Sequence, residues 1–126
     1  MGTRGTRPLV LDAGALIAIE RGDDRVIGLL QVGADIHIPA GALAQAWRDP
    51  ARQSRLARTV ASEESFIHPL DGDAAKAAGR LCAFAGTSDV IDASVVQLAR
   101  QLDAVVVTSD PVDLRRLDPR VRIAAI

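Results

Sequence analysis

The apolar residues of this chain form two patterns: short unbroken runs, and longer segments with helical spacing. Leu9–Leu11 and Val105–Val107 are unbroken runs, which is typical of strands that are buried on both faces. Three other short apolar stretches have the length of strands, and two of them contain a proline at or near the carboxyl end. The pattern predicts strands over residues 8–12, 35–39, 65–70, 104–108 and 121–124.

The segments between these strands carry apolar residues at helical spacing, with helix-start and helix-stop residues at their ends. Pro50 and Pro111 stand where helices would begin, and Gly22 and Gly33 follow two helix ends. Helices are therefore predicted over residues 13–21, 23–31, 40–47, 50–62, 71–84 and 89–102, with a short helix starting at 111. Alternating strands and helices predict a single α/β domain over 1–126, with a central, mostly parallel sheet of four to five strands and helices on both faces. Residues 1–7 are expected to be a flexible N-terminal tail.

Composition narrows the class of protein. The chain has 126 residues, 48% of them hydrophobic and 2% aromatic, and a formal net charge of −1. This is enough apolar material for one core, but it leaves no aromatic platform for single-stranded nucleic acid. The single Cys82 excludes an internal disulfide and fits a reducing compartment. With no apolar N-terminal segment and no run of membrane-spanning length, we expect a soluble, cytoplasmic protein that does not enter a membrane.

Carboxylates follow the two strands that look most deeply buried. Asp12 comes directly after the first strand, and Asp110 follows the strand at 104–108. Carboxyl ends of parallel strands meet at one edge of a sheet, where open α/β sheets bind ligands. Asp89 and Asp92 are three residues apart, as are Asp110 and Asp113, so each pair would share a helix face.

Each acid also has a structural interpretation. Asp12, Asp89 and Asp110 stand at helix starts, where Asp is a favourable N-cap. Asp92 lies one turn inside an apolar helix and cannot be a cap, and a charge that faces inward there needs a partner. Carboxylates converging without a nearby Lys or Arg would repel one another unless a divalent cation joined them. The acids taken together therefore predict a cation site.

Three motifs, LDAGALIAI, DVIDASVVQLA and VVVTSDPVDLRRL, occur in that order. They resemble the motifs of PIN-domain ribonucleases, most closely the VapC-type toxins of toxin–antitoxin pairs. The resemblance runs from about Pro8 to Ile123. It implies an endoribonuclease that hydrolyses RNA phosphodiesters with Mg²⁺ or Mn²⁺. By the same resemblance the catalytic metal ligands would be Asp12, Asp92 and Asp110, and Asp89 and Asp113 would be accessory ligands.

One position departs from the family pattern. Where the family usually has a Glu on the helix after the second strand, this chain has Gln45. An amide is neutral and offers one oxygen, so metal affinity should fall. Asp89 could supply the missing charge, whereas Glu20 lies eight residues along a helix from Asp12, about 12 Å. The alternative is a degenerate PIN domain that mainly binds antitoxin or RNA.

Partners are expected from the resemblance alone: an RNA substrate, a VapB-type antitoxin and a second copy of the chain in a homodimer. For the RNA, basic residues spaced by 4, 3 and 3 would form one helical stripe able to hold phosphates; a solvated Arg face is the other interpretation. The stripe consists of Arg48, Arg52, Arg55 and Arg58. His37 and His68 lie in separate strands beside prolines, and we expect them to be spread apart and structural.

A receiver domain, a signalling module of similar length, is the less favoured alternative. It would need an Asp after the third strand and a Lys after the last buried strand. Here the third strand ends in His68-Pro69, and the only lysine, Lys76, is in the wrong place. The sequence therefore favours a nuclease over a phosphoacceptor.

Overall fold

The structure is a computed structural model that describes residues 6–126. Most of the expected N-terminal tail, residues 1–5, lies outside the described residues. The strands are β1 Leu9–Leu11, β2 Ile36–Pro39, β3 Ser65–His68, β4 Val105–Thr108 and β5 Arg122–Ala125. The helices are α1 Ala13–Arg21, α2 Asp24–Leu30, α3 Ala40–Ala46, α4 Ser54–Val60, α5 Gly72–Ala85, α6 Val90–Leu102 and α7 Pro111–Leu117.

The five strands form one sheet in the order β3-β2-β1-β4-β5, and every pairing is parallel. The central pair is β1 and β4, in which Leu11 is the partner of Val107. The predicted α/β sheet is confirmed, with five strands and no antiparallel member among the described residues. Since all strands run the same way, their carboxyl ends share one edge.

The strand order places helices on both faces. The chain moves from β1 through β2 to β3 in one direction, then returns past β1 to add β4 and β5 on the other side. Right-handed crossovers put α1–α4 on one face and α5–α7 on the opposite face. Helix packing agrees, because α1 contacts α2 and α4 while α6 contacts α5 and α7.

The core is aliphatic, as the composition requires. Val10, Leu11, Val106 and Val107 are fully buried in the two central strands, so both unbroken apolar runs are the buried strands that they predict. Two polar residues, Asp12 and Thr108, are buried at the ends of the same strands, with 5% and 0% of their surface exposed. The buried strand β1 is therefore followed directly by the buried carboxylate of Asp12.

The helix predicted over residues 50–62 is shorter than expected. A turn occupies the segment before it, in which the backbone N–H of Arg52 donates to the Asp49 carbonyl at 3.0 Å. The Asp49 carboxylate also accepts from the Ala51 N–H at 3.0 Å, so the chain follows an Asx turn instead of a helix. Helix α4 begins only at Ser54.

Among the described helices, no single one is both long and apolar enough to cross a membrane. Helices α5 and α6 reach the required length and hydropathy only as a pair, which is bent by 107° at its break.

Candidate active site

The β1–β4 pair is the point at which the sheet reverses its order. β1 connects onward to β2 on one side, and β4 connects to β5 on the other. Open α/β sheets bind ligands in the crevice outside the carboxyl ends of strands at such a switch point. Asp12 follows β1 there, and its backbone N–H donates to the Val107 carbonyl of β4 at 3.4 Å.

Asp12 has two structural partners. Its carboxylate accepts a hydrogen bond from the Ala15 N–H at 2.8 Å, which caps α1, and it interacts with the side chain of Thr108. Burial nonetheless raises the pKa of Asp12, against the lowering effect of those two interactions, and the negative charge of Asp110 raises it further. The predicted N-cap is confirmed, and the side chain is also part of a charged site.

Thr108 interacts with both Asp12 and Asp110. Its hydroxyl oxygen accepts the Asp110 backbone N–H at 2.8 Å, and its interaction with the Asp12 carboxylate lowers the pKa of Asp12. Asp110 stands at the N-cap position of α7, yet within the described chain its side chain makes no capping hydrogen bond. The Asp110 carboxylate, an exposed group at the same sheet edge, therefore remains available to a ligand.

The second pair of acids lies at the start of α6. The Asp89 carboxylate caps the helix by accepting the Asp92 backbone N–H at 3.0 Å. Burial, followed by the charge of Asp89 and a hydrogen bond between the two side chains, raises the pKa of Asp92 to about 7. Asp12 and Asp113 add to this rise, so they stand close enough to Asp92 for electrostatic coupling.

The five predicted acids thus form one negatively charged site, here called the acidic site: Asp12, Asp89, Asp92, Asp110 and Asp113. None of them forms an ion pair with a basic group in residues 6–126. The same part of the chain holds no three His, Cys, Asp or Glu side chains already arranged around a metal position, and the carboxylates of Asp12 and Asp89 accept backbone N–H groups. The donor set fits a hard divalent cation, since it consists of carboxylate oxygens with uncompensated charge.

No protein-family model matches this sequence, and no curated protein matches it. Solved structures do match the fold. The structure of VapBC2 from Rickettsia felis, bound to a DNA fragment from their promoter, is 17% identical over 94% of this chain and 98% of that chain, with a TM-score of 0.68. FitAcB from Neisseria gonorrhoeae is 18% identical over 91% and 95%, with a TM-score of 0.65. PAE2754 from Pyrobaculum aerophilum is 21% identical over 93% and 83%, with a TM-score of 0.61.

The chain has the PIN-domain fold.

Gln45 lies on α3 of this PIN fold, with its side chain exposed. Helix α3 begins at the carboxyl end of β2 and is pressed against α6, where a β-carbon on Gly41 would stand 2.5 Å from Ile91 Cδ1. Glu20 is occupied elsewhere, because its carboxylate accepts the Leu56 N–H at the start of α4 at 3.1 Å. Glu20 therefore does not replace the missing Glu.

The predicted arginine stripe does not exist as one helix face of the PIN fold. Arg48 follows the end of α3 and donates to the carbonyls of Ala44 at 3.0 Å and Trp47 at 2.7 Å. Arg52 lies in the turn before α4, and only Arg55 and Arg58 belong to that helix. The single-helix expectation is wrong because the Asp49 turn separates α3 from α4.

The two histidines are not spread apart, contrary to expectation. His37 and His68 meet across β2 and β3, with Nδ1 of His37 2.7 Å from Nε2 of His68. Their sequence separation of 31 residues hides a contact that depends on the register of two parallel strands. The spacing along the chain contained no signal for it.

Two features of the acidic site were not singled out from the sequence. Thr108 is fully buried at the end of β4, and its hydroxyl oxygen accepts the Asp110 backbone N–H. Gly14 allows Ser109 to approach, since a β-carbon on Gly14 would stand 2.5 Å from the Ser109 hydroxyl oxygen. The available signals were a hydroxyl residue ending a buried strand and a glycine two residues after the first acid.

Proposed function

We propose that the protein is a divalent-cation-dependent endoribonuclease and acts as the toxin of a toxin–antitoxin pair. The observation that carries this proposal is the convergence of Asp12, Asp92 and Asp110 at the β1–β4 switch point of a PIN fold. Their negative charges repel one another, and a bound cation would offset that repulsion.

Asp12, Asp92 and Asp110 would hold Mg²⁺ or Mn²⁺, with Asp89 and Asp113 beside them. When bound, the cation supplies a water of lowered pKa and stabilises charge on the phosphate oxygens. Thr108 positions Asp110 by accepting its backbone N–H, and its side chain also interacts with the Asp12 carboxylate. Burial of Asp12 under α1 excludes water from one side of the site.

The proposed partners follow from the neighbours that share the fold. Two of them are the VapBC2 and FitAcB assemblies, and the sequence motifs resemble the toxin component of such pairs. We therefore propose a VapB-type antitoxin that covers the acidic site, a homodimer, and RNA as the substrate. Arg48, Arg52, Arg55 and Arg58 remain candidates for phosphate contacts as separate exposed residues.

Cation binding is tested first, by thermal unfolding with increasing MnCl₂ or MgCl₂. A cation that binds only the folded state raises the midpoint with concentration. The parent should respond and Asp92→Asn should not, while Asp24→Asn, an exposed acid at the start of α2, should match the parent. Equal responses of the parent and Asp92→Asn would overturn the assignment of the metal site.

Cleavage of a mixed RNA substrate then distinguishes two hypotheses about Gln45. The domain is degenerate, or it is an active nuclease in which Asp89 compensates for the missing Glu. If the acidic site is catalytic, Asp12→Asn should cleave RNA at least about 100-fold more slowly than the parent, because a metal ligand contributes several kcal/mol to charge stabilisation. Restoring the acid with Gln45→Glu should raise the rate if the domain is degenerate. An unchanged rate in an active parent would show that Gln45 is compatible with full activity, with Asp89 as the compensating acid. A parent that binds Mn²⁺ but cleaves no RNA would contradict the nuclease proposal.

A further inference from the structure

Two imidazoles outside the acidic site are in direct contact. Nδ1 of His37 lies 2.7 Å from Nε2 of His68. The register explains the meeting, since His37 is the partner of Phe66 and Pro39 is the partner of His68; residues two apart on adjacent strands share a face. We propose that His37 and His68 form a second metal site, for a borderline transition cation such as Zn²⁺ or Ni²⁺.

The surrounding structure prepares both rings for binding. His37 stacks on Phe66, with ring centroids 5.2 Å apart and an interplanar angle of 19°, which restricts its rotation. Burial lowers the pKa of His37, and the neighbouring His68 lowers it further. Burial also lowers the pKa of His68. The rings are therefore neutral at pH 7, the form in which imidazole binds metals.

There is room for a hydrated ion on the His68 side of the pair, because His68, though not His37, lines a cavity. His68 lines a cavity of about 370 Å³ together with Asp71, Asp73, Gln97 and Gln101. A water molecule takes about 30 Å³ in the liquid, so this space holds several metal-bound waters. Carboxylate and amide oxygens on the cavity wall can accept hydrogen bonds from those waters, which is how outer partners orient a site.

The ligand chemistry separates this site from the acidic site. Imidazole nitrogen favours Zn²⁺, Ni²⁺ and Cu²⁺, whereas carboxylate oxygens favour Mg²⁺ and Mn²⁺. Within residues 6–126, no third His, Cys, Asp or Glu completes a ligand group with the two histidines. Water fills the remaining positions, and the affinity is lower than that of structural zinc sites with four protein ligands.

Binding requires a proton to move but not to leave. In the metal-free pair, one facing nitrogen carries the hydrogen of the N–H···N bond, and both facing nitrogens must be bare to ligate. One ring shifts its proton from the facing nitrogen to its other nitrogen. The two neutral rings together keep two protons, so the site releases almost no proton at pH 7.5.

Isothermal titration calorimetry with ZnCl₂ and NiCl₂ on the full chain tests the proposal. In excess MgCl₂, which occupies the acidic site, each of His37→Gln and His68→Gln should weaken the binding of Zn²⁺ and Ni²⁺ by about tenfold or more, while Asp24→Asn, an exposed acid at the start of α2, should bind as the parent does. Titrations in buffers of different ionisation enthalpy should give a proton release near zero. Absence of binding to the parent, or binding unaffected by both histidine variants, would overturn the proposal.

A second measurement does not depend on the variants folding. Imidazole ¹H–¹⁵N spectra of the parent report each ring nitrogen directly. Zn²⁺ should move His37 Nδ1 and His68 Nε2 to metal-bound positions and leave their other nitrogens protonated. Ring signals that do not change at saturating Zn²⁺ would show that the pair only shares a hydrogen bond.

Discussion

Ser109 lies against Gly14 so closely that a β-carbon on Gly14 would stand 2.5 Å from the Ser109 hydroxyl oxygen and 3.4 Å from Asp12 Oδ1. Contacts below 3.0 Å force a neighbour to move. The first turn of α1 and the end of β4 are therefore so close beside the acidic site that no room is left for a methyl group on Gly14.

Gly14→Ala should displace Ser109 and disturb Asp12. Although Ala is the better helix former by about 1 kcal/mol, we expect no gain in stability and a weaker Mn²⁺ response. Gly28→Ala is the matched control, because a β-carbon on Gly28 meets nothing within 4 Å; it should stabilise the fold by about 0.5–1 kcal/mol. Urea unfolding measures the stability of both variants, and Ser109→Ala in the Gly14→Ala background should recover the gain in stability that Gly14→Ala alone lacks. A Gly14→Ala variant as stable as Gly28→Ala would contradict the close contact.

Thr108→Val should destabilise the domain by about 1–3 kcal/mol, because it removes the hydroxyl that accepts the Asp110 N–H and that interacts with the buried Asp12 carboxylate, which keeps only its hydrogen bond from Ala15. Thr108→Ser keeps the hydroxyl and should lose less, only the contacts of one methyl group. Urea denaturation at pH 7 compares the two variants. Equal stabilities of the valine and serine variants would show that the hydroxyl bonds contribute nothing.

Asp92→Asn should stabilise the metal-free domain, and the gain should grow with pH. The folded-state pKa of Asp92 is about 7, against 3.8 for the ordinary carboxyl. Between those values the folded chain keeps a proton that the unfolded chain has lost, so stability falls as pH rises. Removing the charge should yield about 1–2 kcal/mol at pH 8, after allowance for solvent exposure, and almost nothing at pH 4. Thermal or urea unfolding across this range in EDTA measures it; a gain independent of pH would contradict the burial of this charge.

The histidine pair should make the domain acid-sensitive. The pKa values of His37 and His68 are both lowered from 6.5, so the unfolded chain binds protons that the folded chain refuses. Stability from this source is complete above pH 6.5 and is lost as pH falls through the lowered values. Urea unfolding at pH 8.0, 6.5 and 5.5 should show a steeper loss for the parent than for His68→Gln. Parallel pH profiles for the parent and His68→Gln would show that carboxylates, and not the histidines, cause the acid sensitivity.

Local pattern was sufficient for the parts of the fold where burial dominates. The runs at Leu9–Leu11 and Val105–Val107 became the central strands, and Asp12 and Asp89 became helix caps. The α3–α4 region could not be predicted, because the Asp49 turn and the Gln53 side chain, which accepts the Arg48 and Asp49 N–H groups at 2.8 and 3.0 Å, override helix propensity there.

Long-range features of the site were harder to predict for a different reason. The convergence of Asp12 and Asp110 follows from parallel strands alone, and the coupling of Asp92 to Asp12 agrees with it. The His37–His68 contact depends on the register of β2 and β3, and the approach of Ser109 to Gly14 depends on how α1 leaves the sheet. Neither of these two contacts can be predicted from the spacing of residues along the chain.

The double use of Asp12 and Asp89 has an evolutionary consequence. Both side chains accept backbone N–H groups that begin helices, so selection for folding alone would keep an acceptor, Asp or its neutral analogue Asn, at each position. Asp110 has no such capping bond in the described chain, and the charge of Asp92 costs folding free energy. A lineage that abandoned cleavage would therefore be free to lose the acids at positions 92 and 110 first, while positions 12 and 89 would keep a side chain that caps a helix.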